Sequence, residues 1–175
     1  MNRSPLIRIS IKYGAVAGAL ALALLIASYY MGRHPLLIAP FLDFRILLFG
    51  IFIFFSGREL RDYEQGGVLY FWQAMLGGGL VVLMASVVST LGMQVFGARV
   101  PEFVTAYVQQ MTDYLKTFSA EDIKGVGKEV YDRNLVQLSA TNVSQLSVTY
   151  FAQGMVIGFL DTIVLSVILR RQPKN

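Results

Sequence analysis

Apolar residues in this chain come in four long runs separated by polar and charged segments. The first spans about residues 13–31 and carries no charge. The second, about 36–57, contains Asp43 and Arg45. The third, about 71–96, is uncharged, and the fourth, about 148–169, holds only Asp161. Each matches the roughly 20 residues a helix needs to cross a bilayer at about 1.5 Å per residue. None alternates with period two over its length, so a membrane barrel is disfavoured. Helices remain, because they satisfy every backbone polar group within lipid. The pattern predicts an all-α, polytopic membrane protein with four transmembrane helices, forming one integral membrane domain over residues 1–175. The first run follows Arg3, Arg8 and Lys12, as in a signal peptide, but its length exceeds the usual apolar core of one. No small-residue cleavage site follows it, so the helix is expected to be retained.

Between the third and fourth runs, residues 97–147 read differently. Pro101 suits the first position of a helix. Phe103, Tyr107, Met111, Tyr114, Leu115 and Phe118 then recur at three- and four-residue spacing, which predicts an amphipathic helix. Ser119 and Asp122 resemble a capping box opening a second helix. Gly125 and Gly127 weaken its first turns, and Val130, Leu135, Val136 and Leu138 offer an apolar side. Thr141, Asn142 and Ser144 are candidate caps for the last span. Such a segment either lies on the membrane surface or docks a partner.

Composition agrees with this pattern. The chain is 55% hydrophobic and 15% charged, where a soluble domain carries about 25% charge. This argues against an ordinary soluble enzyme and excludes a disordered chain. With no cysteine, disulfides, zinc-thiolate sites and cysteine nucleophiles are excluded. One histidine leaves a single imidazole. The net charge of +4 does not point to nucleic acid, because the basic residues flank the spans, where they set topology and meet lipid head groups. Arg3, Arg8 and Lys12 precede the first span. Arg58 and Arg61 follow the second, and Arg170, Arg171 and Lys174 follow the fourth. Four spans put all of these on one side, predicted cytoplasmic, with residues 97–147 on the other.

Candidate chemistry is sparse. Asp161 lies roughly 14 Å of helix from Arg170. A carboxylate there must be protonated, paired or hydrated. It serves either as a proton, cation or partner site, or as a structural group paired with Arg45 or bonded to Thr162, Ser166 or a neighbouring helix. Asp43 would occupy the first turn of a helix opened by Pro40, and Arg45, about 8 Å below that end, would snorkel outward. Two residues apart on a helix, they face apart. Gly14 with Gly18, Gly154 with Gly158, and Gly77, Gly78 and Gly79 form small-residue faces for close helix packing, within the chain or with a partner. His34 reads as an interface residue. Gly125–Lys128 lacks the first glycine and the hydroxyl residue of a phosphate-binding loop. Asn142-Val143-Ser144 fits a glycosylation sequon that would need a secretory host. No constellation of nucleophile and base is apparent, so catalytic, cofactor and metal residues are expected to be none.

The connection after span two reads Arg58-Glu59-Leu60-Arg61-Asp62-Tyr63-Glu64-Gln65-Gly66-Gly67, then Val68-Leu69-Tyr70-Phe71-Trp72-Gln73-Ala74. Alternating charges make a solvated helix end, two glycines stop it, and aromatics anchor the next interface. With the opening Lys12-Tyr13-Gly14 and the ending Gly158-Phe159 through Arg170-Arg171, this stretch resembles the bacterial four-helix membrane proteins of domain-of-unknown-function family 4199. The resemblance covers nearly the whole chain and implies a Gram-negative inner-membrane location. It carries no assigned activity. Some relatives are encoded near sugar transferases acting on polyprenyl phosphate. The expectation is therefore a non-enzymatic accessory subunit of a membrane complex, its partners being lipids and other integral membrane proteins. The alternative is a small transporter or flippase for a lipid-linked sugar, using Asp161, Arg45 and Asp43.

Overall fold

A computed structural model describes residues 4–172. Arg3 and Lys174, both used above to set topology, lie outside the described residues. Among the described residues seven α-helices form: α1 (Pro5–Tyr30), α2 (Phe44–Glu59), α3 (Phe71–Arg99), α4 (Glu102–Lys116), α5 (Ala120–Val126), α6 (Lys128–Ser139) and α7 (Val143–Leu169). Among the described residues the only β pairing is an isolated bridge between Leu69 and Arg171. The helices α1, α3 and α7 are long and apolar enough to cross a membrane.

The second apolar run does not behave as expected. Its helix starts at Phe44 and has 16 residues, about 24 Å at helical rise. Pro35 and Pro40, which lack an N–H, sit at the starts of two short 3-10 turns, Pro35–Leu37 and Pro40–Leu42. Asp43 then caps α2, its carboxylate accepting from Arg45 N at 2.9 Å. At the other end the chain continues into a π-turn, Leu60–Glu64. Gly66 and Gly67 follow with φ of +60° and +87°, which reverse the chain into α3.

The long helices and α2 pack together, with α2 and α3 each in contact with the other three. Three apolar layers fill the interior. Phe49, Ile53, Val81, Val82, Ala17 and Ala85 form the middle one. Leu25, Met93, Phe103, Leu146 and Tyr150 lie toward one end, and Ile9, Leu60, Leu69, Ala74 and Leu169 toward the other. Ion pairs mark the second end: Arg8 with Glu64 at 2.6 Å and Lys12 with Glu59 at 2.9 Å. Arg61 donates to the Leu169 carbonyl there at 3.5 Å, and pairs with Asp62, as Arg58 does. Arg170 and Arg171 lie just past the end of α7, where the Arg171 backbone pairs with Leu69.

Most of the glycines on the predicted small-residue faces pack within the chain. A Cβ on Gly14 or Gly18 would lie 2.7 Å from the carbonyls of Val81 or Ala85, so α1 and α3 touch backbone to backbone. On α7, a Cβ at Gly158 would collide with Val82, and one on Gly78 of α3 would lie 2.8 Å from Thr162. Gly77 faces Ser10 loosely, and Gly79 faces open space.

Between α3 and α7, the predicted amphipathic helix is α4, with Phe103 and Leu115 buried. Pro101 caps it rather than opening it. The predicted second helix divides into α5 and α6 at Gly127, whose φ of +93° cannot continue a helix. Ser119 and Asp122 do form a reciprocal capping box. The expected apolar side of α6 is incomplete: Leu138 is buried but Val136 is exposed. Asn142 caps α7, exchanging bonds with Gln145 at 3.0 and 3.1 Å.

Overpacking of a closed helix contact typically costs about 1–3 kcal/mol. Gly158→Val should lower the thermal midpoint of the detergent-solubilised protein accordingly, whereas Gly79→Ala should leave it nearly unchanged. Equal effects of the two would show that the α3–α7 contact is loose.

Candidate functional site

The most polar point of the interior is Arg45. It sits one residue inside the N-terminus of α2, yet only 2% of its surface is exposed. Snorkelling is therefore not what it does. Its Nε donates to both Asp43 oxygens at 3.0 Å, and Nη2 donates to Asp43 as well. The expectation that the two face apart fails because Asp43 lies outside the helix as its cap. From there its carboxylate turns back over the first turn and meets the guanidinium. Nη1 donates to the Tyr150 carbonyl at 2.9 Å and Nη2 to Gln153 Oε1 at 3.2 Å, both on α7. The guanidinium also stands 4.2 Å from the centre of the Tyr150 ring, a cation–π contact worth about 0.5–2 kcal/mol.

Gly154 makes this geometry accessible. A Cβ there would lie 3.4 Å from Arg45 Nη1 and 3.0 Å from Ser86 Oγ. The buried hydroxyls of Ser86 and Tyr150 lie in the same α3–α7 seam without hydrogen-bond partners. Outside the α2–α7 contact, Asp43, Gln153, Thr149, Ala152, Val156 and Ile157 line a groove of about 500 Å³.

Asp161 stands apart from this cluster. Eight residues separate it from Gln153, about 12 Å along α7. Arg45 bonds elsewhere, so the Asp43–Arg45 pair and Asp161 are two features and not one site. Thr162 donates to the Gly158 carbonyl at 2.6 Å, and Ser166 Oγ is unpartnered. Neither supplies the expected bond to Asp161, whose Oδ2 is buried without a partner. The residue shares a helical flank with Ile157 and Leu165, which pack against the middle core layer. A charged carboxylate at the centre of a membrane helix costs about 2.5–3.5 kcal/mol.

His34 is buried within the protein, only 1% of it being exposed. Its ring lies 4.5 Å from that of Phe103 and 5.1 Å from that of Tyr107, both on α4. Its Nδ1 accepts from Leu36 N at 3.4 Å. Its backbone N–H donates to Gln110 at 3.1 Å, and Gln110 donates to the Gly32 carbonyl at 3.4 Å. These contacts fasten α4 to the α1–α2 connection. Sequence reasoning missed them, because α4 is about 70 residues away along the chain. Burial pushes the His34 pKa down to about 4. Among the described residues no cluster of His, Asp and Glu has the arrangement of a metal site.

Three long apolar helices and a charge cluster buried among them define a helical, multi-pass type of membrane protein. The family model described as proteins of unknown function (DUF4199) matches residues 12–171, and the chain belongs to that family. Comparison with curated proteins and with solved structures gave no match.

Removing one partner of a buried ion pair typically costs about 3–5 kcal/mol, whereas replacing both is far milder. Arg45→Met should therefore destabilise the protein strongly in detergent unfolding, and adding Asp43→Asn should recover most of the loss. An additive double mutant would show that the pair is not coupled.

For His34, the folded-state pKa lies below its ordinary 6.5. The docked state thus binds fewer protons, and its stability falls as pH drops from 6.5 toward 4, by about 3 kcal/mol in full. Hydrogen exchange in α4, corrected for intrinsic rates, should accelerate across that window. His34→Gln should flatten the dependence, and an unchanged acid profile in that variant would contradict the assignment.

Proposed function

We propose that this protein is a non-enzymatic accessory or scaffolding subunit of a larger complex in the bacterial cytoplasmic membrane. In this reading α2 is a fourth span, both termini are cytoplasmic, and residues 97–147 face the other side. The observation that carries it is the use made of Arg45. All three of its guanidinium nitrogens donate within the chain, so the strongest charge of the interior holds helices together and is not free to take a substrate. Meanwhile the lipid-facing sides of α3 and α7 present large apolar residues, among them Leu91, Val95, Val156 and Leu160. The partners are membrane lipids and other integral membrane proteins, with no role for nucleic acid. The basic residues at the Glu59–Lys12 end support this orientation.

A second reading rests on Asp161, whose buried, unpartnered oxygen suits a proton or cation step in a small transporter or flippase for a polyprenyl-linked sugar. Asp161→Asn should then abolish transport and complementation. If neither changes, that reading loses its support.

Extraction at native expression level in mild detergent, followed by mass spectrometry of the purified species, tests the main reading. A defined hetero-complex with another integral membrane protein is expected. A stable, monodisperse monomer would contradict it.

A further inference from the structure

We infer that α7 binds a transmembrane helix of a partner protein through a basic residue, lysine or arginine, placed opposite Asp161. This rests on the accessory-subunit reading and specifies the partner's chemistry.

The argument starts from the charges of the spans and their ends. Arg45 is held by Asp43, Tyr150 and Gln153. Lys12 pairs with Glu59 and Arg8 with Glu64. Arg58 and Arg61 both pair with Asp62. None of these donates to Asp161; its Oδ2 is buried without a hydrogen bond, while the residue as a whole is only half-buried. The residue lies about 12 Å of helix inside Leu169, too deep for head groups to reach it. Intramembrane acids of this kind pair with one another, with backbone or with a base. Among the described residues none offers this one a base, so charge complementarity asks for a base from outside.

The face around it is open. Only 28% of the most apolar stretch of α7 is buried, against 39% in α1 and 44% in α3. Val164 and Ile168, three and seven residues beyond Asp161, share its side of the helix. They are 58% and 63% exposed. Asp161 thus stands at the edge of an apolar ridge wide enough for a helix to lie on. A second copy of this chain does not meet the need, because the Arg45 it would bring is already engaged.

The test uses the full chain at native expression level, with a photoreactive benzoylphenylalanine at position 164 or 168. After irradiation the adduct peptide is mapped by mass spectrometry. Expected is a transmembrane segment of another protein carrying Lys or Arg within one turn of the cross-linked position. Its yield should drop at least about 5-fold with Asp161→Asn, stay with Asp161→Glu, and return when Asp161→Lys is combined with the partner's base changed to Asp. Thermal unfolding of Asp161→Asn, expected to match the parent, shows that the loss is not misfolding. Adducts with lipid alone, with a second copy, or with a segment lacking a base would overturn the proposal. So would a yield indifferent to Asp161→Asn. If a hetero-complex purifies but the adduct lacks a base, this inference fails and the accessory reading stands.

Discussion

A guanidinium removed from water must be matched by acceptors on every side, and Arg45 shows how the chain does so. The helix that carries it is too short to anchor itself by length alone. Its N-terminus has orphan N–H groups, and only two short 3-10 turns precede it. Asp43 answers both needs at once, capping the helix and neutralising the arginine. The arginine then reaches across to a carbonyl and an amide of α7. One ion pair thereby closes the start of α2 and fixes its height against α7. The 35–36 turn is buried under α4, where Leu36 packs with Leu25 and Met93.

The rest of the packing follows from backbone contact. Between apolar helices in lipid there is little hydrophobic driving force, so close approach and dispersion hold them. Gly14 and Gly18 let α1 settle on α3, and Gly158 does the same for α7. Gly154 has a different task, since the space it leaves is occupied by the arginine and Ser86. A single small-residue pair on α7 therefore serves one steric contact and one polar one. This divides the candidate partner faces: most glycines are covered within the chain, and the open surfaces are lined by large apolar side chains.

Much of this was legible in the sequence, and the failures have physical causes. Hydrophobic run length located α1, α3 and α7, because that signal is local and strong. The α4 periodicity and the Ser119 and Asn142 caps were readable for the same reason. The second span was misplaced because hydropathy does not register that Pro35 and Pro40 keep the backbone out of a regular helix. Asp43 and Arg45 were singled out correctly as unusual, but their pairing was missed, since wheel geometry applies only to residues within the helix. The burial of His34 was not readable because its cage comes from α4, and no local pattern reveals a contact at that distance. The lack of a partner for Asp161 Oδ2 likewise depends on where the described basic side chains end, which only the folded chain shows.

The proposed four-span topology requires that α2, short as it is, separates two sides of a membrane. The absence of native cysteine makes a direct measurement simple: Arg33→Cys and Gln65→Cys bracket α2. Each is labelled in sealed membranes with a membrane-impermeant maleimide, before and after permeabilisation. The account predicts opposite behaviour, with one site labelled from outside and the other only after permeabilisation. Labelling of both from the same side would contradict it and leave three spans in place of four.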